Sequence, residues 1–129
     1  MIRVENLSRN FGSFKAVKGI SFTVEKGEIL GFAGLMGAGR TEVARAIFGA
    51  DKRDSGSIKV LGIERVINSP YDAVKAGIGY LSEDRKHFGL ATGMSVETNI
   101  SLASMNNFTT RSGMLKDSEM KNIAEHYVS

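Results

Sequence analysis

The segment Gly34-Leu35-Met36-Gly37-Ala38-Gly39-Arg40-Thr41 has the spacing of a phosphate-binding loop, G-x-x-x-x-G-K-[ST], with arginine in the usual lysine position. Glycines let successive backbone N–H groups point inward around phosphate oxygens. A helix that follows adds the partial positive charge of its N-terminus. Gly34, Gly37 and Gly39 meet the backbone requirement, Leu35, Met36 and Ala38 are the residues between them, and Thr41 offers a hydroxyl to magnesium. Arg40 keeps the positive charge but carries it on a longer, planar head. Binding is therefore expected to survive the change while catalysis weakens; the alternative is an Arg40 that points to solvent. Two competing motifs fail. A dinucleotide fold needs G-x-G-x-x-G, but the third position after Gly37 and Gly39 is Glu42. A protein kinase needs a catalytic-loop H-R-D, which is absent.

A phosphate loop must sit between a strand and a helix, and the flanking residues predict both. Ile29-Leu30-Gly31-Phe32-Ala33 is a short apolar run of the kind that fits a parallel strand buried on both faces. Val43, Ala44, Ile47 and Phe48 mark one buried helix face, with Gly49 as the stop. Upstream, Ile2, Val4 and Leu7 begin an alternating strand, and Val17, Ile20, Phe22 and Val24 fall at mostly period-two spacing. Lys26-Gly27-Glu28 is expected to turn. Downstream, Ser55-Gly56-Ser57 reads as a turn into a strand, Ile58-Lys59-Val60-Leu61. Ser69 can cap a helix that has Pro70 first, Asp72 near its positive end and Gly77 as its end. Ile78-Gly79-Tyr80-Leu81 reads as a further strand. Ser95 caps a helix carrying Val96, Ile100 and Met105. Asp117 to Ser129 forms an amphipathic helix with Met120, Ile123, Ala124, Tyr127 and Val128 on one face.

The bulk composition bounds the partners. The chain has 129 residues, 42% of them hydrophobic and 24% charged, which is the balance of a folded globular domain. With 17 basic and 14 acidic residues, the net charge of +3 is too small an excess to predict nucleic-acid binding. Cysteine is absent, which excludes disulfides and thiolate metal sites. No apolar run approaches the roughly 18 to 20 residues that span a bilayer, and Met1-Ile2-Arg3-Val4-Glu5 lacks a signal-peptide layout. A soluble, cytoplasmic chain able to dock onto a membrane protein is expected.

Three segments together resemble the ATP-binding cassette of membrane transporters. They are Val4-Glu5-Asn6-Leu7-Ser8 through Phe11-Gly12 to Ala16-Val17 and Ile20-Ser21-Phe22; Lys26-Gly27-Glu28-Ile29-Leu30-Gly31 leading into the loop; and Gly56-Ser57-Ile58 followed by Ser82-Glu83-Asp84-Arg85-Lys86 and Met94-Ser95-Val96-Glu97-Thr98-Asn99-Ile100. More narrowly, the loop through Glu42, taken with Ser82 to Lys86, is similar to the second cassette of ribose-, galactose- and xylose-type monosaccharide importers. That cassette often carries arginine in the loop.

The resemblance implies an α/β P-loop NTPase cassette, present in part. Its mixed sheet would join an antiparallel N-terminal part (residues 1–33) to a RecA-like core (34–104) and the start of a helical subdomain (105–129). It implies ATP and magnesium as ligands, with the loop from Gly34 to Glu42 on the phosphates. Phe11 falls where cassettes place an adenine-stacking aromatic, although a ring before Gly12 can equally be core; Phe14 is the lesser candidate. Glu83 stands where most cassettes have a glutamine that contacts magnesium and the attacking water. A carboxylate there accepts but cannot donate and repels phosphate, a second sign of weakened hydrolysis. Asp84, Arg85 and Lys86 fit equally a solvated charged loop. The implied partners are a permease, which Ser82 to Asn99 would face, a second cassette and, indirectly, a sugar-binding protein. The implied location is peripheral, on the cytoplasmic face of the inner membrane. The family's signature motif, acidic strand end and switch histidine do not occur, and His87 and His126 are expected at the surface. The chain is therefore read as the N-terminal part of a cassette with little or no turnover. The alternatives are a regulatory cassette that binds without hydrolysis and, more remotely, an unrelated P-loop enzyme, for which the guanine-specific N-K-x-D is missing.

Overall fold

The computed structural model describes residues 1–128. They cluster into two compact units, residues 1–80 and 81–128. The first unit is built on an antiparallel sheet of order β2-β1-β3-β4, with β1 at Ile2–Phe11, β2 at Phe14–Val24, β3 at Ser55–Val60 and β4 at Ile63–Glu64. β1 and β2 form a hairpin in which Phe11 faces Phe14 across a two-residue turn and Ile2 faces Val24.

The alternation expected for β1 holds only because the strand bulges. Val4 and Leu7 are three residues apart, so a regular strand would send them to opposite faces. The register shifts between them, Asn6 takes φ 51°, and both side chains are buried on one face. The extra peptide is satisfied locally, since the Asn6 N–H donates to Ser21 Oγ at 2.8 Å. Gly19 at φ 68° attends a second shift, between Leu7 and Ser8, which keeps Val17 and Ile20 on the core side.

Helix α1 (Arg40–Phe48) covers this face, so that Val43 and Ala46 join Val4, Leu7 and Val17 in one buried cluster. A second cluster joins Ile58 and Val60 of β3 to Ile67 and to Ala73 of α2 (Pro70–Lys75). The expected caps form. Gly49 ends α1 in the left-handed conformation, and the Ser69 hydroxyl accepts the Asp72 N–H at the start of α2. Arg45 grips Asp51 just past α1 with two hydrogen bonds of 2.8 and 3.0 Å.

In the second unit, α3 (Val96–Leu102) and α4 (Asp117–Val128) pack together, with Ser101, Met120 and Ala124 buried. Ser95 caps α3 as expected, by accepting the Thr98 N–H.

Several expectations are corrected. Ile29–Ala33 and Ile78–Leu81 are not strands, and Ile29 and Leu81 are 97% and 89% exposed. A central parallel strand needs neighbours to take up its N–H and C=O groups, and none of the described strands pairs with either segment. Ser55-Gly56-Ser57 is the start of β3 rather than a turn, and Leu61 follows that strand. Met105 lies in a separate 3₁₀ turn, Met105–Phe108. Tyr127 and Val128 are exposed instead of sharing the buried face of α4, because the packing reaches only as far as Ala124.

Candidate functional site

The glycine loop leaves the antiparallel sheet after the turn at Lys26-Gly27 and reaches α1 through residues 28–39 without regular structure. Phe32 is tied back to β2 by an edge-to-face contact with Phe22, at a centroid separation of 5.0 Å. The Ala38 N–H closes a turn on Leu35 O at 3.1 Å. Gly37 and Gly39 have φ of 81° and 84°, a left-handed backbone that side chains resist.

Space enforces the same residue type. A Cβ on Gly34 would lie 2.8 Å from the Ala38 methyl, and one on Gly39 would lie 2.8 Å from the Ala16 carbonyl oxygen on β2. The loop is thus folded on itself at one end and pressed against the sheet at the other. Leu35 and Met36 are 87% and 100% exposed at its tip, so its apolar residues do not serve a core.

Gly39 is also the N-cap of α1, and no side chain caps this helix. Val43 is the first α1 residue whose N–H is bonded back into the turn, to Gly39 O at 3.0 Å. The earlier N–H groups of the first turn are left to point out of the helix end, the arrangement that suits an anion. Thr41 and Glu42 sit half-buried in that turn, and Arg40 is exposed. Arg40 does not simply leave the loop, because its Cδ lies 3.9 Å from where a Gly34 Cβ would be. The stem of the side chain therefore passes beside the loop, and the residue as a whole is exposed.

Phe11 closes the β1 end of the hairpin and is 44% exposed, so the core reading of its ring fails. The Arg9 guanidinium covers it, 4.4 Å from the ring centroid. Phe14, opposite, is 65% exposed.

Glu83 belongs to the other unit and is exposed, beside a buried Ser82. Asp84 next to it caps the π-helical turn Arg85–Gly89, accepting the His87 N–H at 3.1 Å and meeting the His87 ring Nδ1 at 2.8 Å. Those bonds hold the Asp84 carboxyl below its ordinary range, the backbone bond first. Asn99 of α3 clasps the loop between that turn and α3. Its side chain accepts the Ala91 N–H at 2.8 Å and donates to the carbonyls of Ala91, Met94 and Ser95. Nothing in the spacing of Asn99 signals this role, because its bonding partners lie on an irregular loop. Among the described residues no three His, Cys, Asp or Glu side chains gather as a metal cage. A concavity on the bulged sheet face, lined in part by Arg3, Glu5, Asn6 and Ser57, includes none of the predicted site residues.

Comparison with known proteins gives this geometry a family context. The family model described as ABC transporter matches residues 17–128. The chain is 56% identical over 127 residues to a Burkholderia ambifaria protein named as ribose/galactose/methyl galactoside import ATP-binding protein 3, covering 98% of this chain and 24% of the relative. Proteins of the same description from Albidiferax ferrireducens and Agrobacterium fabrum are 61% identical over 105 residues and 53% identical over 128. These alignments cover 81% and 99% of this chain, and 20% and 25% of the relatives. The chain thus spans about a quarter of the length of the curated relatives it matches. Among solved structures, the dimeric ATP-binding cassette MJ0796 in a post-hydrolysis state with ADP and Pi superposes with a TM-score of 0.63 at 18% identity. That superposition covers 97% of this chain and 55% of the other. The likeness shows the fold, a partial ATP-binding cassette of mixed α/β type with an antiparallel N-terminal sheet.

Proposed function

The chain belongs to the ABC transporter family, and from that premise we propose that it is the N-terminal part of the second, degenerate cassette of a sugar-import ATPase. The intact protein would couple ATP binding and hydrolysis to sugar passage through a membrane permease. The observation that carries this reading is the glycine loop: φ of 81° and 84° at Gly37 and Gly39, with no room for a Cβ at Gly34 or Gly39. Such a loop holds glycine where any side chain would be strained or would clash, and its exposed apolar tip serves no core, which makes sense if its N–H groups are there for phosphate.

In this reading Gly34 to Glu42 surround the phosphates, Arg40 lies along them, and the Thr41 hydroxyl is offered to magnesium. Phe11 stacks on the adenine. Glu83 stands near the metal and the attacking water once a complete site is assembled. Residues 1–33 form the β part, 34–104 the nucleotide core and 105–129 the start of the helical subdomain. The partners are permease subunits, a second cassette and, indirectly, a sugar-binding protein. Among the described residues no helix is long and apolar enough to cross a membrane, which fits peripheral attachment through the permease at the cytoplasmic face.

Titration calorimetry of Mg·ATP into the chain should show saturable binding with negligible steady-state turnover. Gly39→Ala should weaken that binding at least about tenfold, because the new methyl meets the Ala16 carbonyl and disfavours φ 84°. A folded chain that takes up no ATP, or a Gly39→Ala chain that binds as well as its parent, contradicts the proposal.

Two residues favour a second reading, a cassette that holds nucleotide for regulation. Arg40 is charged but placed differently from a lysine, and Glu83 brings a carboxylate where phosphate charge would gather. In the full-length protein, Arg40→Lys with Glu83→Gln should raise hydrolysis at this site. Unchanged hydrolysis would mean that these two residues are not what limits it.

A further inference from the structure

Arg9 is spent in an unusual way. Its side chain is only 19% exposed, yet its ion pair with Asp54 is loose at 3.8 Å, and its Nε is buried with no hydrogen-bond partner. Leaving a guanidinium N–H unsatisfied is costly, so some other contact must favour this placement. Two contacts do so: the Asp51 carboxylate lies close enough to feel the Arg9 charge, and the guanidinium lies over the Phe11 ring at 4.4 Å. Residues i and i+2 share a strand face, so β1 itself stacks Arg9 on Phe11.

Asp54 supplies the anchor. It pairs with the guanidinium, accepts the Asn10 N–H between the two residues, and donates its own N–H to Ser8 O at 2.9 Å. One face of an exposed ring is therefore covered by a held cation. Among the described residues no other ring or cation stacks on Phe11.

We propose that Arg9 is a positioning residue for base recognition: it fixes the Phe11 ring from behind so that the opposite face meets the adenine. This rests on the reading of Phe11 given above. A cation over one face of an aromatic ring draws π density toward itself. The other face is left electron-poor and suited to an offset stack with an electron-rich purine. A phenylalanine at the end of a hairpin strand would otherwise exchange among its χ1 rotamers and lose that orientation on each excursion.

The test compares Mg·ATP with inorganic tripolyphosphate, a probe that has phosphates and no base, on the 129-residue chain. Phe11→Leu should remove most of the preference for ATP. Arg9→Met should reduce that preference roughly three- to fivefold while leaving tripolyphosphate affinity unchanged. Arg9→Lys, which keeps charge but loses the planar stack, should fall between. In the Phe11→Leu background, Arg9→Met should have no further effect. Should Arg9→Met fail to fold, Arg9→Lys carries the same comparison. Equal loss for both probes would make Arg9 merely structural and overturn the proposal. So would an unchanged preference in a chain where Phe11→Leu abolishes it. A parent chain with no preference for ATP, or a preference insensitive to Phe11→Leu, would instead refute base stacking at Phe11 and Arg9's role with it.

Discussion

Arg45 and Asp51 show how a single pair can fix the end of the element that carries the loop. Arg45 sits in the last turn of α1, where a cation complements the helix dipole. Its side chain bonds both Asp51 oxygens while its carbonyl accepts the N–H groups of Ala50 and Asp51. Hydrogen bonding from the guanidinium holds the Asp51 carboxyl below its ordinary range and raises Arg45 above its own. A carboxylate whose folded value is lowered contributes stability that is complete above the unfolded value, near ~3.9, and is lost as pH falls through the folded one. Asp51→Asn should therefore cost about 1–2 kcal/mol at pH 7 in urea unfolding. The gap between parent and variant should close as pH drops from about 5 toward 2. A gap that persists in acid would mean that packing, not charge, is at stake.

The bulge in β1 belongs to the scale of elements. It needs a partner strand that lets the extra residue through, and Gly56 of β3 is that partner. At φ 100° its missing Cβ would fall 2.7 Å from Glu5 O and 2.7 Å from Leu7 Cα, both rigid backbone. Gly62 has a similar φ of 81° but open space around it. Gly62→Ala should cost only the left-handed backbone, about 1–2 kcal/mol. Gly56→Ala should cost about 2–4 kcal/mol, with strain and clash together. Equal costs for the two would remove the bulge from the account of how Val4 and Leu7 reach one core. The consequence for function is direct, since the same face carries α1 and, through Ala16, the end of the glycine loop.

At the scale of the whole chain the feature that matters is apolar surface without a sheet to cover it. Ile29 is 97% exposed and Phe32 47%, in a run whose composition suits a buried strand. Unpaired backbone beside exposed apolar side chains is a template for association. Sedimentation velocity should show concentration-dependent self-association of the chain, which Ile29→Lys should diminish. The substitution should change stability by less than about 0.5 kcal/mol, because the side chain it replaces buries nothing. Association that is unaffected by the lysine would place the sticky surface elsewhere.

Much of this was written locally. The glycine loop, the Ser69 and Ser95 caps and the Gly49 stop each depend on residues within a few positions of one another. Backbone preference and side-chain hydrogen bonds decide such features before any distant segment arrives. Sequence likewise carried the family through the spacing of Gly34 to Thr41 and its surroundings. What only the tertiary structure decided concerns partners far apart in the chain. Ile29–Ala33 has strand composition, yet a strand exists only where another supplies hydrogen bonds, and here none does. The glycine at position 56 looked like a turn residue because its real neighbour, the bulge at Asn6, is remote in sequence. The glycine loop's backbone was legible from its own residues, whereas the stacking of Arg9 on Phe11 beside an aspartate 45 residues away (positions 9 and 54) was not. Local chemistry can be read along a chain; the packing of one strand against another depends on both, and only the folded molecule brings them together.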